Sequence, residues 1–138
     1  MSERIFKRKI YQKLLDWKEQ DKGSTALLIE GARRVGKSTI AEEFAKNEYE
    51  TYLLIDFSIA SKVVKDAFTD ISNLDMLFTS LQMNCGVNLI PGKSLIIFDE
   101  IQKWPLARQA IKHLVKDGRF HYIETGSLLG IKMKKRPM

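Results

Sequence analysis

Between a short apolar run, Ala26-Leu27-Leu28-Ile29, and a segment with helical spacing, Thr39 to Lys46, stands Gly31-Ala32-Arg33-Arg34-Val35-Gly36-Lys37-Ser38. No other stretch constrains the fold of this chain as tightly. In the pattern G-x-x-x-x-G-K-[ST] the glycines let consecutive backbone N–H groups turn inward around a phosphate. The lysine reaches the terminal phosphates, and the hydroxyl touches a magnesium ion. The apolar run has the length of a buried strand. After the loop, Ile40 and Phe44 stand four apart, with Glu42 and Glu43 ahead of Lys46, as a helix prefers. Strand, glycine loop and helix in that order place an anion at a helix N-terminus and call for a sheet with helices packed on it.

Size and composition fit that expectation. With 138 residues, 44% hydrophobic and 29% charged, the chain supports one soluble domain with a core of its own. No run of 18 apolar residues is present, so no membrane-spanning helix is expected, and the first residues lack the apolar stretch of a secretory signal. Cys85 is the one cysteine, which excludes an internal disulfide. With no histidine near it in sequence it reads as a small, partly buried residue rather than a nucleophile. The cytoplasm is the expected compartment. The net charge of +6 clusters only at the two ends, Arg4, Lys7, Arg8 and Lys9, then Lys132, Lys134, Lys135 and Arg136. These read as solvated termini; a basic balance leaves nucleic acid open as a partner without supporting it.

Along the chain, Ile10, Leu14 and Trp17 give a helix before the first strand, and Asp21 to Ser24 a turn. Thr51 to Phe57 reads as a second strand. A short helix around Val63 to Phe68 is less marked. Leu74, Leu77, Phe78 and Leu81 fall at i, i+3, i+4 and i+7, a helix capped by Asp70 or Ser72. Pro91-Gly92-Lys93 is a turn. Ser94 to Glu100 is a third strand, apolar on both faces and ending in two carboxylates. Pro105 opens a helix with Ala107, Ile111, Leu114 and Val115 as its stripe, which Asp117-Gly118 ends. Phe120 to Ile123 is a fourth strand, followed by Thr125-Gly126-Ser127. Strands alternating with helices predict a mainly parallel sheet covered on both sides.

Two further groups bear on the chemistry. A carboxylate ending a buried strand holds magnesium in nucleotide hydrolases of this kind, usually through water, and an adjacent Glu polarises the attacking water. Asp99 and Glu100 fit those two places. Thr125 or Ser127, at the end of the fourth strand, is placed to sense the terminal phosphate. His113 and His121 have no ligand-spaced partners and read as structural, and no metal beyond Mg²⁺ is indicated. Trp104-Pro105 reads as a rigid helix entry.

Together these motifs resemble the AAA+ ATPases, within the additional-strand (ASCE) branch of P-loop NTPases. Gly31 to Ser38, Leu95 to Pro105 and Tyr122 to Gly130 are similar to the prokaryotic AAA_14 family, whose members often carry a DUF4143 region behind the ATPase. The resemblance covers nearly the whole chain. It implies a three-layer α/β P-loop NTPase core that binds ATP or ADP with Mg²⁺. Walker A lies after strand one, Walker B on strand three and sensor 1 on strand four. Gly31, Ala32, Arg33, Arg34, Val35, Gly36, Lys37, Ser38 and Thr39 would hold the nucleotide, and Ser38 and Asp99 the metal. Glu100 would be the base, Lys37 the phosphate contact, and Thr125 or Ser127 sensor 1.

The expected organisation is one domain over residues 1–138. It comprises an N-terminal helix over about 1–22, a nucleotide-binding core over 24–130 and a basic tail over 131–138. Members of the resembled family continue with a fifth strand and a helical lid carrying an arginine finger and sensor 2. The chain therefore reads as an N-terminal core that stops after the sensor 1 strand, with strand one flanked on one side by nothing. Such an edge invites pairing with another chain, and AAA+-type subunit contacts are the other expected route to self-association. The expected activity is ATP hydrolysis in a longer protein, weak in this piece, since loss of an arginine finger costs roughly 10³–10⁵ in rate. Two other readings stay open: a nucleotide-gated binding module without turnover, and a small-molecule P-loop kinase using Asp56.

Overall fold

The computed structural model describes residues 2–31, 36–127 and 132–136. In chain order these form α1 (Ser2–Asp21), β1 (Ala26–Gly31), α2 (Lys37–Glu48), β2 (Thr51–Asp56), α3 (Lys62–Asp66) and α4 (Leu74–Cys85). Then come β3 (Ser94–Asp99), a single 3-10 turn (Ile101–Lys103), α5 (Pro105–Asp117), β4 (His121–Ser127) and β5 (Lys132–Arg136).

The sheet order is β2-β3-β4-β1-β5. The first four strands are parallel, so their C-terminal ends meet on one edge, where open α/β sheets bind ligands. Each face carries its own core. Leu27, Ile29, Leu95, Ile97 and Ile123 pack against Ile10, Leu14 and Trp17 of α1 and Ile40 and Phe44 of α2. On the opposite face Leu53, Ile55, Ile96, Phe98 and Tyr122 pack against α3, α4 and α5. Every residue of β3 is buried, as alternation between two covered faces requires. The result is the three-layer α/β arrangement that the strand–helix alternation predicts. Gly23, in the turn from α1 to β1, has φ 85, and a Cβ there would meet the His121 ring at 2.8 Å. Only glycine lets that turn close on β4.

The structure departs from the sequence-based expectation at the free side of β1 and at the cap of α4. The second side of β1 is not empty. Lys132 to Arg136, expected as a solvated tail, pairs with it antiparallel, Ala26 opposite Arg136 and Glu30 opposite Lys132. An exposed strand presents a row of backbone donors and acceptors that gain from any partner, whatever its side chains. The cationic composition hid the strand, and the basis for self-pairing through an open β1 edge falls with it. The cap of α4 is also neither Asp70 nor Ser72. Asn73 caps it, its side chain accepting from Met76 N at 3.1 Å, while Asp70 accepts from Ser72 N in a tight turn of its own.

His121 is held by packing, as expected for a structural histidine. Its Nδ1 is 2.6 Å from the Tyr49 hydroxyl, and its ring sits edge-on to Trp17 and Tyr49. Burial, with the Lys18 charge beside it, holds its imidazole below the usual range. Cys85 is a partly buried free thiol, raised by that burial. Among the described residues no helix is long and apolar enough to cross a membrane.

Candidate functional site at the strand ends

The site grows from the register of the sheet. β1 runs beside β4 with Gly31 opposite Ser127, and β3 runs beside β4 with Phe98 opposite Glu124. One step further on, Asp99 and Thr125 are neighbours, and Asp56 stands opposite Asp99 from β2. The C-terminal ends of β1, β3 and β4 therefore lie side by side, with β2 next to β3.

Gly36 closes that loop with φ 72 and ψ 34, a left-handed conformation, and gives α2 no side-chain cap. Its carbonyl accepts from Ile40 N at 3.0 Å, so the helix begins immediately after it. The first N–H groups of a helix and the positive end of its dipole suit phosphate, and α2 begins at Lys37, whose side chain reaches Ser127 at the end of β4. Ser38 is half-buried and Thr39 exposed on the first turn. The predicted contacts Ala32, Arg33, Arg34 and Val35 lie outside the described residues.

Lys37 points inward. Its side chain is 4% exposed, and Nζ lies 4.0 Å from Glu100 Oε2 and donates to Ser127 Oγ at 3.5 Å. Ser127 Oγ in turn donates to Glu100 Oε2 at 2.6 Å. Beneath this layer Thr125, fully buried, donates to Asp99 Oδ1, while its oxygen accepts from Glu100 N at 3.1 Å. The structure thus brings Lys37, Asp99, Glu100, Thr125 and Ser127 together and separates the last two by depth. Thr125 ties the end of β3 to β4, and Ser127 stands at the rim beside Lys37 and Glu100.

Burial pushes the Asp99 carboxyl above the ordinary carboxylate range. The charges of Asp56 and Glu100 push the same way, and the Thr125 hydrogen bond and the Lys37 charge oppose them. Asp56, the carboxylate of the kinase reading, accepts from Ser58 N at 2.9 Å and from the Ser58 hydroxyl.

Two side chains at this site escape motif reading. Lys7, on α1, brings its Cε to 3.8 Å from where a Cβ on Gly36 would stand, although its cluster reads in sequence as a solvated end. Gln102, in the 3-10 turn, donates from Nε2 to Glu100 Oε1 at 2.7 Å. The only sequence signal for it is its place two residues after Glu100.

Strand ends, helix N-terminus and buried lysine together make a nucleotide-binding, ATPase-like α/β module. The profile of AAA_14, described as an AAA domain, matches residues 23–137, and the chain belongs to that family. No curated protein matches the sequence.

Proposed function

We propose that the chain is the ATP-binding core of a cytoplasmic, prokaryotic AAA ATPase, and that the site at the strand ends hydrolyses ATP with Mg²⁺. The observation that carries this is the convergence of Lys37, Ser127 and Glu100 in one hydrogen-bonded chain over the Asp99–Thr125 pair. In this reading the amides of α2 and the Lys37 ammonium bind the β- and γ-phosphates. Glu100 takes the proton of the attacking water at its carboxylate, and Ser127 holds that carboxylate and reports on the phosphate. Thr125 sets the position of Asp99.

The residues present fit a magnesium ion. Ser38 and Asp99 supply the hard oxygen donors it takes. Burial first, and then the negative charges of Asp56 and Glu100, raise the Asp99 pKa, and a divalent cation would offset the gathered charge. When bound, the metal would neutralise charge developing on the phosphoryl oxygens. The kinase reading needs Asp56 to face an acceptor substrate, and its engagement by Ser58 speaks against that.

The test is ATP affinity and phosphate release for the wild type, Lys37→Ala and Glu100→Gln. Lys37→Ala is expected to weaken ATP binding at least about tenfold, the loss of one charge-assisted phosphate contact. Glu100→Gln should keep the affinity and lower turnover by about 10²–10⁴, the usual worth of a general base. Unchanged affinity in the first variant, or unchanged turnover in the second, overturns the assignment. Turnover absent from the wild type despite tight binding makes the module a nucleotide-gated binder instead.

A further inference from the structure

Glu100 occupies an awkward place. It follows the last residue of β3 and has φ 57 and ψ 49, a left-handed conformation that side chains other than glycine, Asn and Asp seldom take. Its backbone is held there by the bond from its N–H to Thr125 Oγ1. Its carboxylate, on a long side chain, needs separate restraint. Ser127 supplies a donor to Oε2 and Gln102 a donor to Oε1.

Gln102 is well anchored for this. Ile101, next to it, is 1% exposed and fixes the 3-10 turn in the core, while Lys103 N donates to the Glu100 carbonyl at 3.0 Å. The amide then reaches under the end of β4. Its Oε1 is buried and accepts no hydrogen bond among the described residues, and it lies 3.2 Å from where a Cβ on Gly126 would stand. A buried amide oxygen without a donor works against the fold. An apolar side chain of the same shape would fill the space without that cost. Among the described residues the amide makes one hydrogen bond, the one it donates to Glu100.

We propose that Gln102 is a positioning residue for the Glu100 carboxylate, and that Gly126 provides the clearance it needs. A donor on each oxygen, Gln102 Nε2 on Oε1 and Ser127 Oγ on Oε2, restrains the plane of the carboxylate. The inference rests on the reading of Glu100 as the base. It adds a residue that acts through Glu100 and touches neither nucleotide nor metal.

The experiment is single-turnover ATP hydrolysis with excess protein, alongside ATP affinity and the thermal midpoint. It uses Gln102→Met, Gly126→Ala, Glu100→Gln and the Glu100→Gln/Gln102→Met double variant. Gln102→Met is expected to slow hydrolysis about 10- to 100-fold, the scale of a small misplacement of a reacting group. ATP affinity should be unchanged and the thermal midpoint equal or higher. Gly126→Ala, which presses on the amide oxygen, should slow hydrolysis in the same way. In the Glu100→Gln background the Gln102 substitution should cost nothing more. A wild-type rate in Gln102→Met overturns the inference alone, provided Glu100→Gln is slow. So does a rate loss that recurs in the Glu100→Gln background and tracks a lowered midpoint, which marks a merely structural role. If Glu100→Gln turns over as fast as the wild type, or the wild type does not turn over, the base reading falls and takes this inference with it.

Discussion

If Asp99 holds the metal as proposed, binding and stability pull in opposite directions there. It is 8% exposed, at the end of a fully buried strand, with Asp56 opposite it and Glu100 next in the chain. Burial and those two charges raise its pKa, so the folded state holds its charged form at a cost. The sign follows directly. A folded pKa above the unfolded value means that the cost is fully present above the folded pKa and gone below the unfolded one. Asp99→Asn removes the charge and keeps an oxygen to accept from Thr125. Without magnesium it should stabilise the fold by about 0.5–2 kcal/mol at neutral pH, the usual yield of relieving a strained site, while abolishing metal-dependent ATP binding. Urea denaturation at pH 7 and pH 4 checks this: the gap between variant and wild type should shrink on acidification, and a less stable variant at pH 7 would refute it. The motifs make Lys37, Asp99 and Glu100 legible in the sequence, because their chemistry depends on fixed spacing along a strand and a loop. Thr125 and Ser127 cannot be told apart there. Two residues apart on a strand, they share a face, and only depth separates them, with Thr125 beneath at Asp99 and Ser127 at the rim with Glu100. Gln102 lies within the family-like stretch Leu95 to Pro105, but nothing in the sequence gives it a role, since a glutamine in a single helical turn belongs to no periodic pattern.

Elements were legible where apolar periodicity was strong and less so where backbone pairing alone decided. The amphipathic spacing of α4 and α5, the apolar runs of β1 to β3, and the Pro105 and Gly118 ends of α5 all have side-chain signatures. The start of α4 has too many. Asp70, Ser72 and Asn73 are each good caps, and the choice falls to whichever has its oxygen at Met76 N. β5 has the opposite problem. Its sequence, Lys-Met-Lys-Lys-Arg, carries no strand signal, and what it contributes is main-chain hydrogen bonding to β1. Breaking that pairing should therefore be felt on β1. In a Lys134→Pro/Lys135→Pro variant, one of the two consecutive residues must lose an N–H that faces β1, whichever way the strand is phased. We expect a loss of about 1–3 kcal/mol, the cost of leaving buried backbone groups without partners. Faster amide exchange should appear across Leu27 to Glu30, and a Lys134→Thr/Lys135→Thr control should keep protection. Equal exchange in both variants would mean that β1 does not depend on β5.

At the scale of the molecule, the site and the two cores share one set of strands. Phe98, fully buried, packs with Phe57, Phe68 and Tyr122 at centroid distances of 5.8, 5.5 and 6.0 Å, and the next residue is Asp99. On the other face Phe44 of α2 packs beneath the helix whose first residue is Lys37. The overall layering was readable in the sequence because each strand announces two buried faces. The meeting of the ends of β1, β3 and β4 was implied by the family resemblance and not by periodicity, because register is a property of pairs of strands. A ligand held by Lys37 on one element and by Asp99 and Ser127 on two others spans both cores through the sheet, so its binding energy should add to global stability. For a ligand that binds only the folded chain, the gain at one hundred times Kd is about 2.7 kcal/mol. In a domain of this size that raises the unfolding temperature by roughly 10 °C. We expect that shift with ATP and Mg²⁺ together, a smaller one when the metal is chelated, and little or none in Lys37→Ala at the same concentrations. Thermal unfolding followed by circular dichroism across an ATP titration measures it. Equal shifts in the wild type and Lys37→Ala would place the nucleotide somewhere other than the strand ends. A full shift without magnesium would remove Asp99 from the ligand set and leave the helix N-terminus and Lys37 to hold the phosphates alone.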